Sequence, residues 1–333
     1  MADYQDIRGL RVKYLSADPS TSTLGEVWYN STSGTLKATV LSTESWSSGT
    51  AFPGVRWNTS GTGIKTAALT FGGSTGPGYP TFLNTTFEGD GSSWTAGGTN
   101  PLQRIGQFGV GTQTATIAGG GYTEKPPASP LYSSVANTYN GTAWTGITAT
   151  PEDSKGAGAS GTTTAALIYG SDIPSVTMNK DSYSWNGTSW AEEGALNSDF
   201  QNGGSGAPTE NTAFASGSTF TEPAASTRFE TYNGTAWANG PAMGTATYQN
   251  RGFGSSEECL SMGGGPNITT VQKFDGSSWA AAPSLANGRQ NFAASNNAAS
   301  GITNGWVGGG TNVPSAVEDY NAAVATAQTL TTS

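Results

Sequence analysis

Enzymatic chemistry needs side chains that ionise near neutrality or hold a metal, and this 333-residue chain is sparing with both. It contains no histidine, which removes imidazole as a general base, as a metal ligand and as the middle member of a nucleophile triad. Its paired carboxylates are chain neighbours, at Glu152-Asp153, Glu192-Glu193 and Glu257-Glu258. Adjacent residues on a strand point to opposite faces, so these pairs are expected on solvated surface and not in one acid–base site. A single cysteine, Cys259, excludes a disulfide framework within the chain and a Cys-rich metal site, and its setting in Cys-Leu-Ser-Met predicts a buried, inert thiol. Glycine clusters such as Gly119 to Gly121 end strand-like runs and do not open helices, so a phosphate-cradling loop is not expected. These residues point to a protein that is not an enzyme and that needs no metal or cofactor.

The side chains left for function are aromatic. Tyr79, Phe82, Tyr122 and Tyr132 fall on the two longest connections, both stiffened by proline at Pro77 and Pro80 and at Pro126, Pro127 and Pro130. On a polar, acidic surface a few aromatics suit stacking on sugar rings, so these four are the expected ligand-binding residues, with a glycan or a neighbouring protein as ligand. A net charge of −9, a pI near 4.5 and the lack of a basic run argue against nucleic acid. No apolar run reaches the ~18 residues of a membrane span, and the N-terminal stretch has no apolar signal core.

The elements that must position these residues repeat. A phrase of aromatic residue, Asn-Gly or Asp-Gly, two small residues and Trp ends at Trp94, Trp144, Trp190, Trp237 and Trp279. Asn-Gly between strand-like runs predicts a tight hairpin with a two-residue type I′ turn. The tryptophans are 50, 46, 47 and 42 residues apart, and Trp46 extends the series backwards. That period matches propeller blades of roughly 40–50 residues. A strand ending in glycine recurs between tryptophans, at Gly73, Gly121, Gly170, Gly217, Gly265 and Gly310. A basic residue follows most tryptophans, at Arg56, Arg104, Lys155, Arg251 and Arg289, and the fourth unit lacks it.

Double glycine ending a strand, an aromatic on the next strand, then Trp, proline and Arg resembles the kelch motif, whose repeat is one four-stranded blade. The resemblance covers about 46–333 and implies an all-β fold, a six-bladed kelch-like β-propeller. The motifs Asp90-Gly91-Ser92-Ser93-Trp94 and Asp275-Gly276-Ser277-Ser278-Trp279 look superficially like the Asp-box of sialidases, which are also six-bladed, but Asn replaces Asp in three repeats and a hairpin role explains both.

Residues 1–45 stand outside the repeat. Strands Glu26–Tyr29 and Thr35–Leu41 around a polar turn predict a small N-terminal hairpin. The run Gly-x-Val-Trp-Tyr-Asn, turn, Leu-Lys resembles a hairpin at the N-terminal ends of bacteriophage tail-fibre and virion-appendage proteins. The resemblance implies a virion structural protein whose segment 1–45 docks to other virion proteins, with Trp28 and Tyr29 as docking residues. It also implies that the propeller at 46–333 faces a host-surface glycan or protein, with homo-oligomerisation left open; the alternative reading is a cellular kelch-type interaction scaffold or a glycan-acting propeller enzyme. Tyr320 is followed by Asn-Ala-Ala, and alanine is penalised at positive φ, so a sixth hairpin is not expected. Either the strand at Trp46 or the tail Val324–Ser333 must then complete the sixth blade.

Overall fold

The computed structural model describes residues 12–78, 80–123, 132–174, 176–218, 225–296 and 302–331. Apart from one turn of 3₁₀ helix at Glu210–Thr212, every regular element among them is a strand. The chain divides into two compact units, 45–321 and a smaller one formed by 1–44 with 322–333.

The larger unit holds six four-stranded antiparallel sheets. Blade 1 runs Ser60–Ile64, Ala67–Phe71, Thr86–Gly89 and Trp94–Ala96 from the inside outward. Blades 2 to 5 begin at Phe108–Thr112, Gly158–Gly161, Gly204–Ser205 and Arg251–Gly254 and repeat that order. Blade 6 takes Ala293–Ala294, Trp306–Gly308 and Val317–Asn321, and its outermost strand is Ser45–Gly49 from the start of the unit, with Tyr320 opposite Trp46. The six innermost strands contact one another in cyclic order, the last meeting the first. This is a β-propeller, closed by the strand at Trp46.

The five repeat hairpins form, but not with two-residue turns. Tyr139 pairs with Trp144, Gly89 with Trp94 and Phe274 with Trp279, which leaves four-residue loops. Only the glycine of each Asn-Gly or Asp-Gly is left-handed, as at Gly141 with φ 89°. The preceding side chain does the rest: Asn140 Oδ1 accepts the N–H groups of Thr142 and Ala143 at 3.0 and 2.9 Å, and Asp90 Oδ1 those of Ser92 and Ser93 at 2.8 and 2.7 Å. A carboxylate or amide that captures two backbone donors closes the turn without positive φ at the first position. The same role accounts for both Asp-Gly motifs.

Each repeat tryptophan packs against the preceding blade. Trp144 donates Nε1–H to Thr86 Oγ1 at 2.9 Å and meets Phe71 with ring centroids 5.2 Å apart, and Trp237 donates to Ser182 Oγ at 3.0 Å. Trp144 and Trp237 are buried, whereas Trp94, Trp190 and Trp279 are half-buried. Close approach of inner strands to neighbouring aromatics demands glycine: a Cβ at Gly109 would lie 2.7 Å from the Phe71 ring.

The recurrent basic residues divide. Arg56, Arg104 and Arg289, each essentially inaccessible to solvent, donate to the carbonyls of Gly72, Gly120 and Gly309 at 2.9, 3.2 and 3.2 Å and so clamp the glycine turn of their own blade. Their second arm meets the third strand: Arg56 lies over the Phe87 ring, Arg104 donates to Asn137 Oδ1 and Arg289 pairs with Glu318. Thr247 takes the clamp position in blade 5, donating to Gly263 O at 2.9 Å. Lys155 and Arg251 therefore do not belong to this set, contrary to the expectation from the sequence.

The smaller unit is one sheet. Lys13–Leu15 runs parallel to Val27–Asn30, which pairs with Thr35–Leu41 as the expected hairpin. The fourth strand is Ala325–Thr329. This corrects the expected boundary: the tail leaves the propeller and joins the N-terminal hairpin, because blade 6 is already completed by Ser45–Gly49.

Candidate functional site

Strand order puts the connections between blades, and those between second and third strands, at one face of the propeller, while the Asn-Gly loops lie at the other. The loop-bearing face has a regular centre. Two residues before every inner strand the backbone turns left-handed, at Asn58, Gly106, Gly156, Asn202, Gln249 and Asn291, with φ of 50, 64, 71, 48, 53 and 54°. Asparagine and glycine tolerate that conformation best. The turn aims each peptide at the next blade: Gly106 N–H donates to Asn58 O, Gly156 to Gly106 O, Asn202 to Gly156 O and Asn58 to Asn291 O, at 2.8–3.2 Å. Asn291 Nδ2 continues the ring to Gln249 Oε1 at 3.0 Å.

Inside this ring lies an axial cavity of about 50 Å³, lined by glycines and by residues that include Gln107, Asn202, Arg251 and Asn296. Asn296 Nδ2 reaches across it to Gly109 O of blade 2. Arg251 is half-buried, and loss of hydration lowers its guanidinium to about 10, which leaves it charged at neutral pH.

Between blades 2 and 3 the same face gathers two polar groups. In the first, Tyr122 donates its hydroxyl to Tyr132 at 3.0 Å, with ring centroids 4.7 Å apart. Lys155 Nζ stands 4.4 Å over the Tyr122 ring and 3.6 Å from Asp172. Burial pushes the Asp172 carboxyl up, and the Lys155 ammonium partly offsets this. In the second group, Asn179 Nδ2 donates to Glu152 Oε2 at 2.8 Å and to Asp181 Oδ2 at 3.3 Å. Burial, and after it the charge of Asp181, raises the Glu152 carboxyl above its ordinary range. Tyr183 is pushed up to about 12 by burial and then by the same two carboxylates. A cavity of about 10 Å³, close to the room of one water, lies against Glu152, Asp181 and Tyr183. The two groups are neighbours, because Glu152 and Lys155 share one connection and strand Ala166–Ile173 carries Asp172.

The expected site residues are thus only partly assembled. Tyr122 and Tyr132 touch and stay half-buried at the face. Phe82 is a correction: with 8% exposure it packs on Trp57 and Ile105 and holds its loop instead of presenting a ring. Tyr79 lies outside the described residues. Trp28 is a second correction, since it is fully buried and donates Nε1–H to Asp18 at 3.1 Å. Tyr29 is half-buried and stacked on the exposed Tyr14 at 4.9 Å. Sequence reasoning missed Arg251 and the group at Glu152, Asp181 and Tyr183. For Arg251 a signal was available: Arg56 and Arg104 stand 16 residues before their clamped glycine, and so does Thr247, not Arg251. Adjacency along the chain hid the acid group. Asp153 is exposed as expected, but the partner of Glu152 is Asp181, brought by the third strand.

No family model matches the chain, and no curated protein matches it. Among solved structures it is similar to YjhT, with a TM-score of 0.64, 12% identity, and coverage of 83% of this chain and 99% of that one. The chain has the β-propeller fold. One expectation falls here. That the chain is not an enzyme was inferred from the missing histidine and from carboxylates paired only along the chain, yet the fold shared with YjhT is a type that carries enzymes as readily as scaffolds. The juxtaposition of Glu152 and Asp181 removes the second premise.

Proposed function

We propose that the chain is a glycan-directed β-propeller that takes its ligand on the loop-bearing face across blades 2 and 3, with side chains there able to act on the sugar as well as hold it. The observation that carries this reading is the shared grip of Asn179 on Glu152 and Asp181, beside the Tyr122–Tyr132 pair. Tyrosine faces suit the C–H faces of a sugar ring, and carboxylates and amides suit its hydroxyls. Glu152, raised by burial and by Asp181, keeps its proton to higher pH than an ordinary carboxyl and can donate it to a glycosidic oxygen, while a second carboxylate serves as base or nucleophile. An oligosaccharide array followed by NMR of the bound sugar tests this. Tyr132→Ala should weaken binding about tenfold, which corresponds to ~1.4 kcal/mol. Glu152→Gln should keep binding and abolish chemical change of the sugar. An array without a single bound glycan would sink the proposal, and turnover unchanged in Glu152→Gln would remove the role of Glu152.

A second reading concerns the smaller unit. Val12, Tyr14, Leu24, Val27, Leu36, Leu41, Val324 and Leu330 are exposed there, leaving only Val55 and Val135 as exposed large apolar side chains elsewhere among the described residues. Clustered apolar exposure marks contact surface. With the virion-hairpin resemblance, it supports a unit that docks the chain to other virion proteins. The full-length variant Leu24→Lys/Leu330→Lys should fold, judged by circular dichroism, and fail to join the particle; unimpaired incorporation refutes docking by this surface.

A further inference from the structure

We propose that the axial cavity of the propeller is an anion site in which Arg251 binds a single carboxylate of a small ligand. The three clamp arginines show what this protein does with a buried guanidinium. Arg56, Arg104 and Arg289 have three, four and three hydrogen bonds to protein acceptors. Arg251 has one, from Nη1 to Asn250 O at 3.0 Å, out of five available N–H donors. No Asp or Glu lines its cavity, it forms no salt bridge among the described residues, and no neighbouring charge perturbs it.

In a protein of net charge −9, a cation held on the axis without a carboxylate is a charge left for something else to neutralise. The register sharpens the point. The equivalent first residues of the other inner strands are Ser60, Phe108, Gly158, Gly204 and Ala293, so the ring has one charged member and the clamp role at this blade has passed to Thr247. The cavity of about 50 Å³ admits a carboxylate and little more, so the rest of the ligand must lie outside it. The guanidinium fork matches a planar carboxylate in geometry and in charge, whereas phosphate brings a second negative charge with no second cation to meet it.

This site stands apart from the one between blades 2 and 3, and its test does not depend on sugar binding there. Acetate, glucuronate, glucose and inorganic phosphate are titrated into the full chain while the arginine Nε–Hε resonances are followed by NMR, that of Arg251 being the one lost in Arg251→Lys. Acetate and glucuronate should each shift it saturably, with Kd on the order of 1–10 mM as expected for one charge-assisted contact. Glucose should leave it unmoved and phosphate should bind more weakly. A heat-stability measurement on Arg251→Lys should show at least about tenfold weaker carboxylate stabilisation than wild type. A wild-type resonance that does not respond saturably by about 100 mM, well above that Kd range, overturns the proposal whether or not the variant folds. So does equal affinity in Arg251→Lys, or a glucose response equal to that of glucuronate.

Discussion

Replacing Arg289 by methionine tests how the blades are clamped. Arg289 and Glu318 are 0% and 2% exposed, and their closest N···O distance is 2.6 Å. Arg289 also donates to Gly309 O and Ala316 O at 3.2 and 3.0 Å, which ties the glycine turn of blade 6 to its third strand. Glu318 has other donors, the N–H groups of Ala286 and Asn287 at 2.6 and 3.2 Å. Removing one member of a buried pair typically costs ~3–5 kcal/mol, because the other charge stays behind. The two backbone donors that remain on Glu318 hold the expected loss for Arg289→Met near the lower end, at ~3 kcal/mol. The double variant Arg289→Met/Glu318→Gln removes the stranded charge. It keeps the side-chain acceptor for Ala286 and forfeits the two carbonyl contacts and the acceptor for Asn287, so its loss should be ~2 kcal/mol. Urea unfolding of wild type, both single variants and the double variant, followed by tryptophan fluorescence, gives the full cycle. The reasoning fails if Arg289→Met lies within ~0.5 kcal/mol of wild type, the usual range of a surface change. It fails equally if the double variant is no more stable than Arg289→Met.

Trp237→Ala should cost ~3–5 kcal/mol, since the ring is 6% exposed and bonded to Ser182 of the preceding blade. Trp279→Ala should cost less, its ring being half-buried and its indole N–H without a partner, and the reverse order in urea melts would contradict the assigned packing. In the smaller unit, the bonds from Lys37 first, then Asn30, and that from Trp28 hold the Asp18 carboxyl down from 3.8 to about 2. A depressed carboxyl stabilises the fold above its unfolded value and loses that contribution as pH falls through the folded one. The Trp28 indole N–H resonance should therefore hold steady down to about pH 4 and move with a midpoint near 2. Titration at 3.8, or an unchanged profile in Asp18→Asn, would disprove the link.

The tryptophan period and the Asn-Gly phrases determine the propeller by themselves, because a hairpin is local: Tyr139 and Trp144 are five residues apart and need only Asn140 and Gly141 to meet. The failure of the sixth hairpin at Asn321-Ala322 was equally legible, since Asn321 keeps the side-chain acceptor but alanine in the glycine's place resists the left-handed backbone of the other loops. Tertiary structure alone decided what filled the gap, Ser45–Gly49 in place of the tail, because two polar strands of similar length compete for one edge and pattern does not rank them. It also decided the register of the basic residues. Connections of varying length make Arg251 look like another clamp; the 16-residue spacing from clamp to glycine points instead to Thr247, and the ring of left-handed residues shows that Arg251 starts an inner strand. The site between blades 2 and 3 lay furthest from the sequence. Glu152 and Asp181 belong to different elements, and they meet because strand Ala166–Ile173 pairs with strand Val176–Trp185 beside the connection that carries Glu152. Burial and mutual repulsion, the properties that make them candidates for chemistry, exist only once that pairing has formed.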